Sequence, residues 1–296
     1  MFIKKDLSVF SMNRENESVL KAESGDTVVF ETLDCFSEMV KTENDLIGSI
    51  DWTRINPATG PLYVEGAEVG DALKVDIVKI SLAPQGVTIA APGVGAIGEY
   101  IEKEETFVFP IEGDKISYKG IDVKLNPMIG VIGTAPSEDS IPTGTPYSHG
   151  GNMDCKYIKE GVSLYLPVNV EGGLLSIGDL HAAMGDGEIN GAGVEISGQV
   201  EVKVSVVKDF KYDLPIIETE DKIMMLSSLP TMEEASKDCV HKMAKLLMVK
   251  NDFSINEAGM FLSIAGDLRV CQIVDPNMTM RMEVKKEHFR DCNLEK

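Results

Sequence analysis

Alternation of apolar and polar residues is the feature that most constrains what this chain can fold into. Within the run Gly193 to Val207, Val200, Val202, Val204 and Val206 share one face, while Glu201, Lys203 and Ser205 face away. A period of two is the signature of a half-buried β-strand, because successive side chains leave opposite faces of a sheet. The segment Ala72 to Leu82 (ALKVDIVKISL) alternates in the same way and follows the turn residues Gly70 and Asp71. Shorter β-rich runs lie at Thr27 to Thr32, Thr106 to Ile111, Ile121 to Leu125, Met128 to Ile132, Ser163 to Val168 and Leu174 to Ile177. Strands this closely spaced, with few helical intervals, predict a mainly β fold with a β-sandwich or barrel-like body.

The last third changes character. Between Thr231 and Val249, the residues Met232, Ala235, Cys239, Met243 and Leu247 fall near helical spacing. Thr231 is suited to cap the N-terminus of this helix, with Glu233 and Glu234 in its first turn. A second helix is expected over Asn256 to Ile264, capped by Asn256 or Ser254. Strands are expected around the helices at Ile216 to Ser227, Val270 to Val274 and Thr279 to Val284, and the polar tail from Lys285 is expected to fray. The chain therefore reads as a β-rich body over residues 1–210 and an α/β C-terminal part over 211–296, packed together as one unit. Its 296 residues suffice for a full hydrophobic core.

The formal net charge of −20 repels nucleic acid and anionic membrane surfaces. No stretch approaches the roughly 18–20 apolar residues of a membrane span, and Met1 to Asp6 lacks the apolar core of a signal peptide. The five cysteines (Cys35, Cys155, Cys239, Cys271, Cys292) are scattered without a C-x-x-C pair, which fits reduced thiols. The expectation is a cytoplasmic protein with no nucleic-acid or membrane partner.

Chemistry concentrates between residues 144 and 195. This stretch carries His149, Asn152, Asp154, Asp179, His181, Asp186, Glu188 and Glu195, interspersed with Gly150, Gly151, Gly178, Gly185 and Gly187. Asp, Glu and His are the usual ligands of zinc and other divalent cations, and such groups are costly to bury unless they are paired or bind something. Gly-Asp pairs are also common in turns, so spacing alone leaves a metal site and a set of turns both open.

The strings GTPYSHGGNMD (from Gly144), SLYLPVNVEGGLLSIGDLHAAMGDGE (from Ser163) and GVEISGQVEV (from Gly193) resemble the signature block of the acetamidase/formamidase family. Asn56 to Ala67 (NPATGPLYVEGA) is similar to the family's N-P-x-T-G-P-x-x-V-E-G-A stretch, and Ala91 to Gly95 (APGVG) to its P-G-x-G segment. Ser263 to Pro276 (SIAGDLRVCQIVDP) resembles its C-terminal S-x-A-x-D-L-x-x-x-Q-x-V-D-P block. The resemblance implies a β-rich amidohydrolase acting on formamide, acetamide or similar short linear amides, assembled as a homo-oligomer, in this compact version a dimer. The longer formamidases carry segments that are not found here.

Hydrolysis of an unactivated amide needs a polarised carbonyl, an activated water and a proton for the leaving nitrogen. The expected metal ligands are Asp34, Asp154 and His181, completed by Glu195 or Asp186. Asp34 enters because the family pattern places an acidic residue after the early strand. Zinc suits such ligands, and calcium or magnesium would fit a set dominated by oxygen. Glu188 is the expected general base, and Asp186 otherwise joins the catalytic residues. His149 and Asn152 are expected to bind the carbonyl or the tetrahedral intermediate, and the amides around Gly150 and Gly151 to form an oxyanion hole. Cys155, beside Asp154 and Lys156, offers a nucleophilic alternative, and Ser148 beside His149 a weaker one. Trp52 and Tyr63 are candidates for a pocket wall as well as for the core. Rival functions are hydrolysis of a cyclic or amino-acid amide, and metal or ligand binding without catalysis.

Overall fold

The computed structural model describes residues 1–296 as two nine-stranded sheets, two small two-stranded sheets, two α-helices and short 3-10 turns. The first sheet runs in the order Phe2–Ile3, Thr27–Thr32, Gly198–Val207, Ala72–Leu82, Ser163–Pro167, Ile216–Glu218, Lys222–Leu229, Met278–Lys285, Asp267–Gln272. In the strand Gly198–Val207, Val200, Val202 and Val204 are fully buried, as their alternation predicts. The strand Ala72–Leu82 has the bounds its sequence pattern gives.

The second sheet is built around Leu175–His181, whose seven residues are all buried. Met128–Gly133 pairs along one side of it, and Ala58–Val64 and Glu195–Ile196 pair along the other. Gln85–Ala90 and Glu105–Pro110 extend the sheet beyond Glu195–Ile196. Both sheets have open edges, so the body is a sandwich rather than a closed barrel. Phe30, Leu73, Val75, Leu164, Val200 and Val202 of the first sheet share one core with Leu62, Ile129, Ile132, Leu175, Ile177 and Leu180 of the second.

The helices Met232–Asn251 and Ile255–Ala265 cover the C-terminal strands of the first sheet. Alternation in Lys222–Leu229 explains how: Ile223 and Met225 pack with Ala235, Cys239 and Met243 of the first helix, while Met224 and Leu226 join the core between the sheets. Thr231 caps the first helix by accepting from the Glu234 N–H. Ser254, of the two candidates, caps the second in a reciprocal box with Glu257. The expected strand Ile216 to Ser227 is split by a turn at Thr219–Lys222, where the Thr219 N–H donates to the Lys222 carbonyl. The tail does not fray as its polarity suggests. Phe289 and Leu294 are buried against the helices, and the Lys250 ammonium donates to the Asn293 carbonyl. No helix is long and apolar enough to cross a membrane.

Candidate active site

The second sheet brings distant residues to one place. Asp179 and His181 close the strand Leu175–His181, and Glu195 lies directly opposite His181 on the neighbouring strand. Asp154 follows the short strand Gly150–Asn152. The strand Met128–Gly133 pairs with both 150–152 and 175–181, and its Gly130 leaves room for their carboxylates. A Cβ at residue 130 would stand 2.5 Å from Asp154 Oδ1 and 2.8 Å from Asp179 Oδ2. Glu188 comes from the loop between His181 and Glu195. That loop is pinned to the first sheet where the Gly187 N–H donates to the Cys271 carbonyl and the Ile273 N–H to the Gly187 carbonyl. Asp275 sits on a turn organised by buried Gln272, whose Oε1 accepts from the N–H groups of Val274 and Asp275.

The result is a buried imidazole ringed by carboxylates. His181 Nε2 is 3.0 Å from Glu195 Oε2, 3.3 Å from Asp179 Oδ1, 3.8 Å from Asp154 Oδ1 and 3.9 Å from Glu188 Oε1. Asp154, Asp179 and Glu188 hold left-handed backbone angles, φ 40°, 54° and 47°. Such conformations cost of order 1 kcal/mol or more each and gather at functional sites.

One imidazolium does not neutralise this many carboxylates. Burial pushes the Asp154 carboxyl up to about 7 and that of Glu195 up to about 8. Glu188 is raised well above the carboxylate range by burial and by Asp154 beside it. Asp275 is raised likewise, by burial and then by Asp154 and Asp179. For Asp179 the penalty of burial is outweighed by His181, which holds it below its ordinary value. Burial alone would lower His181, but Glu195 and Asp179 raise it well above the usual histidine value.

Several polar atoms here have no hydrogen-bond partner: both oxygens of Asp154, Asp179 Oδ1, Glu195 Oε2, His181 Nδ1 and Asn152 Oδ1. Orphaned buried carboxylate oxygens are expensive unless a cation takes them up. Two ligand sets fall within 4.8 Å among themselves, Asp154–His181–Glu188 and Cys35–Asp179–Glu195. Their carboxylate, imidazole and thiolate donors suit zinc, and the oxygen-rich set also suits harder divalent cations. The residues present therefore fit a divalent metal.

A cavity of about 670 Å³ opens beside this cluster. Its lining includes Asn152, Asp179, Glu188, Glu195 and Asp275, with apolar, threonine and glycine residues around them. The Asn152 Nδ2 donates to Asp275 Oδ2 at 3.1 Å, which fixes the orientation of that amide.

The residues expected from sequence divide on inspection. Asp154, His181, Glu188 and Glu195 converge, and Asn152 lines the cavity beside them. Asp34 is buried at the edge of the cluster. Its Oδ1 accepts from the Glu38 N–H at 2.7 Å, burial raises its carboxyl to about 6, and it faces a separate cavity of about 410 Å³. Asp186 points elsewhere: Arg281 holds it through two bonds of 2.9 Å, and Lys156 lies 2.9 Å away. Burial would raise its carboxyl, but these cations keep it below the ordinary range.

His149 is buried, lines neither cavity, and has no partner on either ring nitrogen. Gly150 and Gly151 serve close packing at positive φ: a Cβ would stand 2.4 Å from the Ile132 carbonyl oxygen and 2.6 Å from that of Thr145. The Gly150 N–H already donates to the Tyr147 carbonyl. Cys155 is fully buried next to Arg281 and Cys271 and does not line the cavity, which removes access for a nucleophile. Ser148 lines a minor surface pocket with Pro215 and Ser227. Trp52 lines the main cavity, whereas the Tyr63 hydroxyl donates to Glu171 at 2.8 Å, away from it. Cys35, Asp179 and Asp275 are the members that received no role from sequence. Asp179 stood in the dense block, but Cys35 and Asp275 lie far from it in the chain, and only the family-like segments around them hinted at the site.

The family model described as Acetamidase/Formamidase matches residues 12–144 and 138–291. The crystal structure of an acetamidase from Bacillus halodurans is similar over 97% of this chain and 98% of its own, with a TM-score of 0.96 and 49% identity. The structure of a protein from Thermoanaerobacter tengcongensis, predicted to be an acetamidase/formamidase, matches over 97% and 95% with a TM-score of 0.94 and 40% identity. A formamidase of Methylophilus methylotrophus is 27% identical over 226 residues, 55% of this chain and 54% of its own length. The chain spans about half to two thirds of the length of the curated relatives it matches. On the extent of the family match, the chain belongs to the acetamidase/formamidase family.

Proposed function

We propose that the protein is an amidohydrolase that converts a neutral amide and water to a carboxylate and ammonia, with a divalent metal held by the buried cluster. The observation that carries this is the ring of four carboxylates around His181 Nε2, three of which (Asp179, Glu188 and Glu195) line a cavity. The names of the relatives, formamidase and acetamidase, point to the same reaction.

Asp154, His181 and Glu195, with Asp179 and Cys35 adjacent, would hold the metal, zinc being the first choice for such donors. When bound, a divalent cation supplies Lewis acidity that polarises a carbonyl oxygen and eases deprotonation of a water. Glu188 supplies proton transfer. As a carboxylate it is suited to take a proton from the attacking water and, once protonated, to return it to the departing nitrogen. Asn152 orients the substrate: with Nδ2 committed to Asp275, its unpartnered Oδ1 is free to accept from the NH₂ of the amide.

Steady-state ammonia release together with bound-metal analysis tests the assignment. Glu188→Gln is expected to lower kcat by about 10²–10⁴ with the secondary structure unchanged, and Asp154→Asn to lose bound metal. Wild-type turnover in Glu188→Gln would remove the base from its role.

A further inference from the structure

The size and lining of the main cavity deepen the amide reading, on which this inference rests. Acetamide has four non-hydrogen atoms and fills only the space of two to three waters, roughly 60–90 Å³. The cavity of about 670 Å³ instead falls in the range of ~300–1,000 Å³ that encloses far larger ligands. A short amide at the cluster would leave most of the wall wet.

That wall has a definite character. Phe10, Phe36, Ile47, Trp52, Ile55 and Val94 give it apolar and aromatic surface, and no Lys or Arg lines it. Carboxylates line it at the cluster, and its other polar lining comes from neutral groups such as Thr53, Asn56, Thr143 and Thr145. An apolar acyl group gains from burial there, whereas an acyl group bearing a carboxylate loses hydration without a cationic side chain to receive it. Trp52 stands half-exposed at the edge of the cavity, placed to cover one face of a planar ring.

We propose that the preferred substrates are neutral primary amides with a bulky apolar acyl group, of the size and shape of an arylcarboxamide, rather than formamide or acetamide. The reaction stays balanced as before: the C–N bond of R–CO–NH₂ breaks, a C–O bond to water oxygen forms, and the water protons go to the nitrogen and to solvent.

The test is kcat/KM for ammonia release by the metal-loaded full chain on formamide, acetamide, isobutyramide, benzamide and 4-carbamoylbenzoate. Benzamide is expected to exceed acetamide by about 10- to 100-fold, the gain from burying a ring-sized apolar group. 4-Carbamoylbenzoate, equal in shape but anionic, is expected to fall well below benzamide. Trp52→Ala is expected to narrow the benzamide-to-acetamide ratio several-fold, chiefly through KM. Turnover of acetamide equal to or faster than benzamide would overturn this inference while leaving the amidase reading in place. Ammonia from none of the amides would overturn both.

Discussion

At the scale of single residues, Gly130 sets the sharpest constraint. Its missing side chain is the space in which the carboxylates of Asp154 and Asp179 meet, and the Asp179 carbonyl oxygen would lie 3.1 Å from a Cβ there. Gly130→Ala is therefore expected to spread the two carboxylates and cut metal affinity at least tenfold, measured by competition with a chelating indicator. Unchanged affinity would show that the carboxylates do not act together. His149 offers a different residue-level test, on stability. Burial lowers its pKa from 6.5 to about 4, so the folded protein resists the proton that the unfolded chain takes up near pH 6.5. Its contribution is intact above pH 6.5 and declines as the pH falls towards 4, a change of about 3 kcal/mol. A His149→Leu protein should lose less stability between pH 7 and pH 4 than its parent in urea denaturation. Parallel loss in both would contradict the burial of a neutral imidazole.

At the scale of elements, the loop bearing Glu188 is held in place by a strand nearly a hundred residues later. Arg281, fully buried, grips Asp186 through two hydrogen bonds, bonds Glu283 at 2.7 Å, and donates to the Val270 carbonyl. Removing the guanidinium leaves Asp186 to Lys156 and Glu283 to Lys222 alone, a loss of about 1.5–3 kcal/mol for hydrogen bonds to charged groups. Arg281→Met is expected to lower the unfolding free energy by about that amount and to depress kcat through displacement of Glu188. Stability within 1 kcal/mol of the parent (roughly the median worth of a surface pair) would show the bridge to be incidental.

This pair also shows what a sequence can and cannot disclose. Asp186 looked like part of the site because it sits two residues from Glu188, and its partner is 95 positions away. Asp154, His181, Glu188 and Glu195 were visible because they crowd one glycine-rich stretch. Cys35 and Asp275 were not, because each arrives by a separate chain segment, and a lone cysteine reads as a small core residue and Asp-Pro as a turn. The strands Ala72–Leu82 and Gly198–Val207 were legible from their two-residue period. The tail was not, because Phe289 and Leu294 are too sparse to make a pattern.

At the scale of the whole molecule, one sheet runs through both the β-rich body and the C-terminal part. Ser163–Pro167 pairs with Ile216–Glu218, and Met224 and Leu226 complete the core between the sheets. The second sheet carries Asp179, His181 and Glu195, and the Glu188 loop and the Asp275 turn lean on strands after residue 266. We propose that residues 1–210 and 211–296 fold as a single cooperative unit. A fragment ending at residue 210 should therefore lack slow-exchanging amides in Ser163–Pro167, where an independent body would keep them.

Chelation tests the carboxylate cluster, the divalent cation and amide hydrolysis at once. Ammonia release from a neutral amide is measured before metal removal, after it, and after zinc is restored stoichiometrically. The expected result is loss of turnover on stripping, recovery with zinc, and no recovery in Asp154→Asn. Full turnover by protein shown to be free of metal would contradict it.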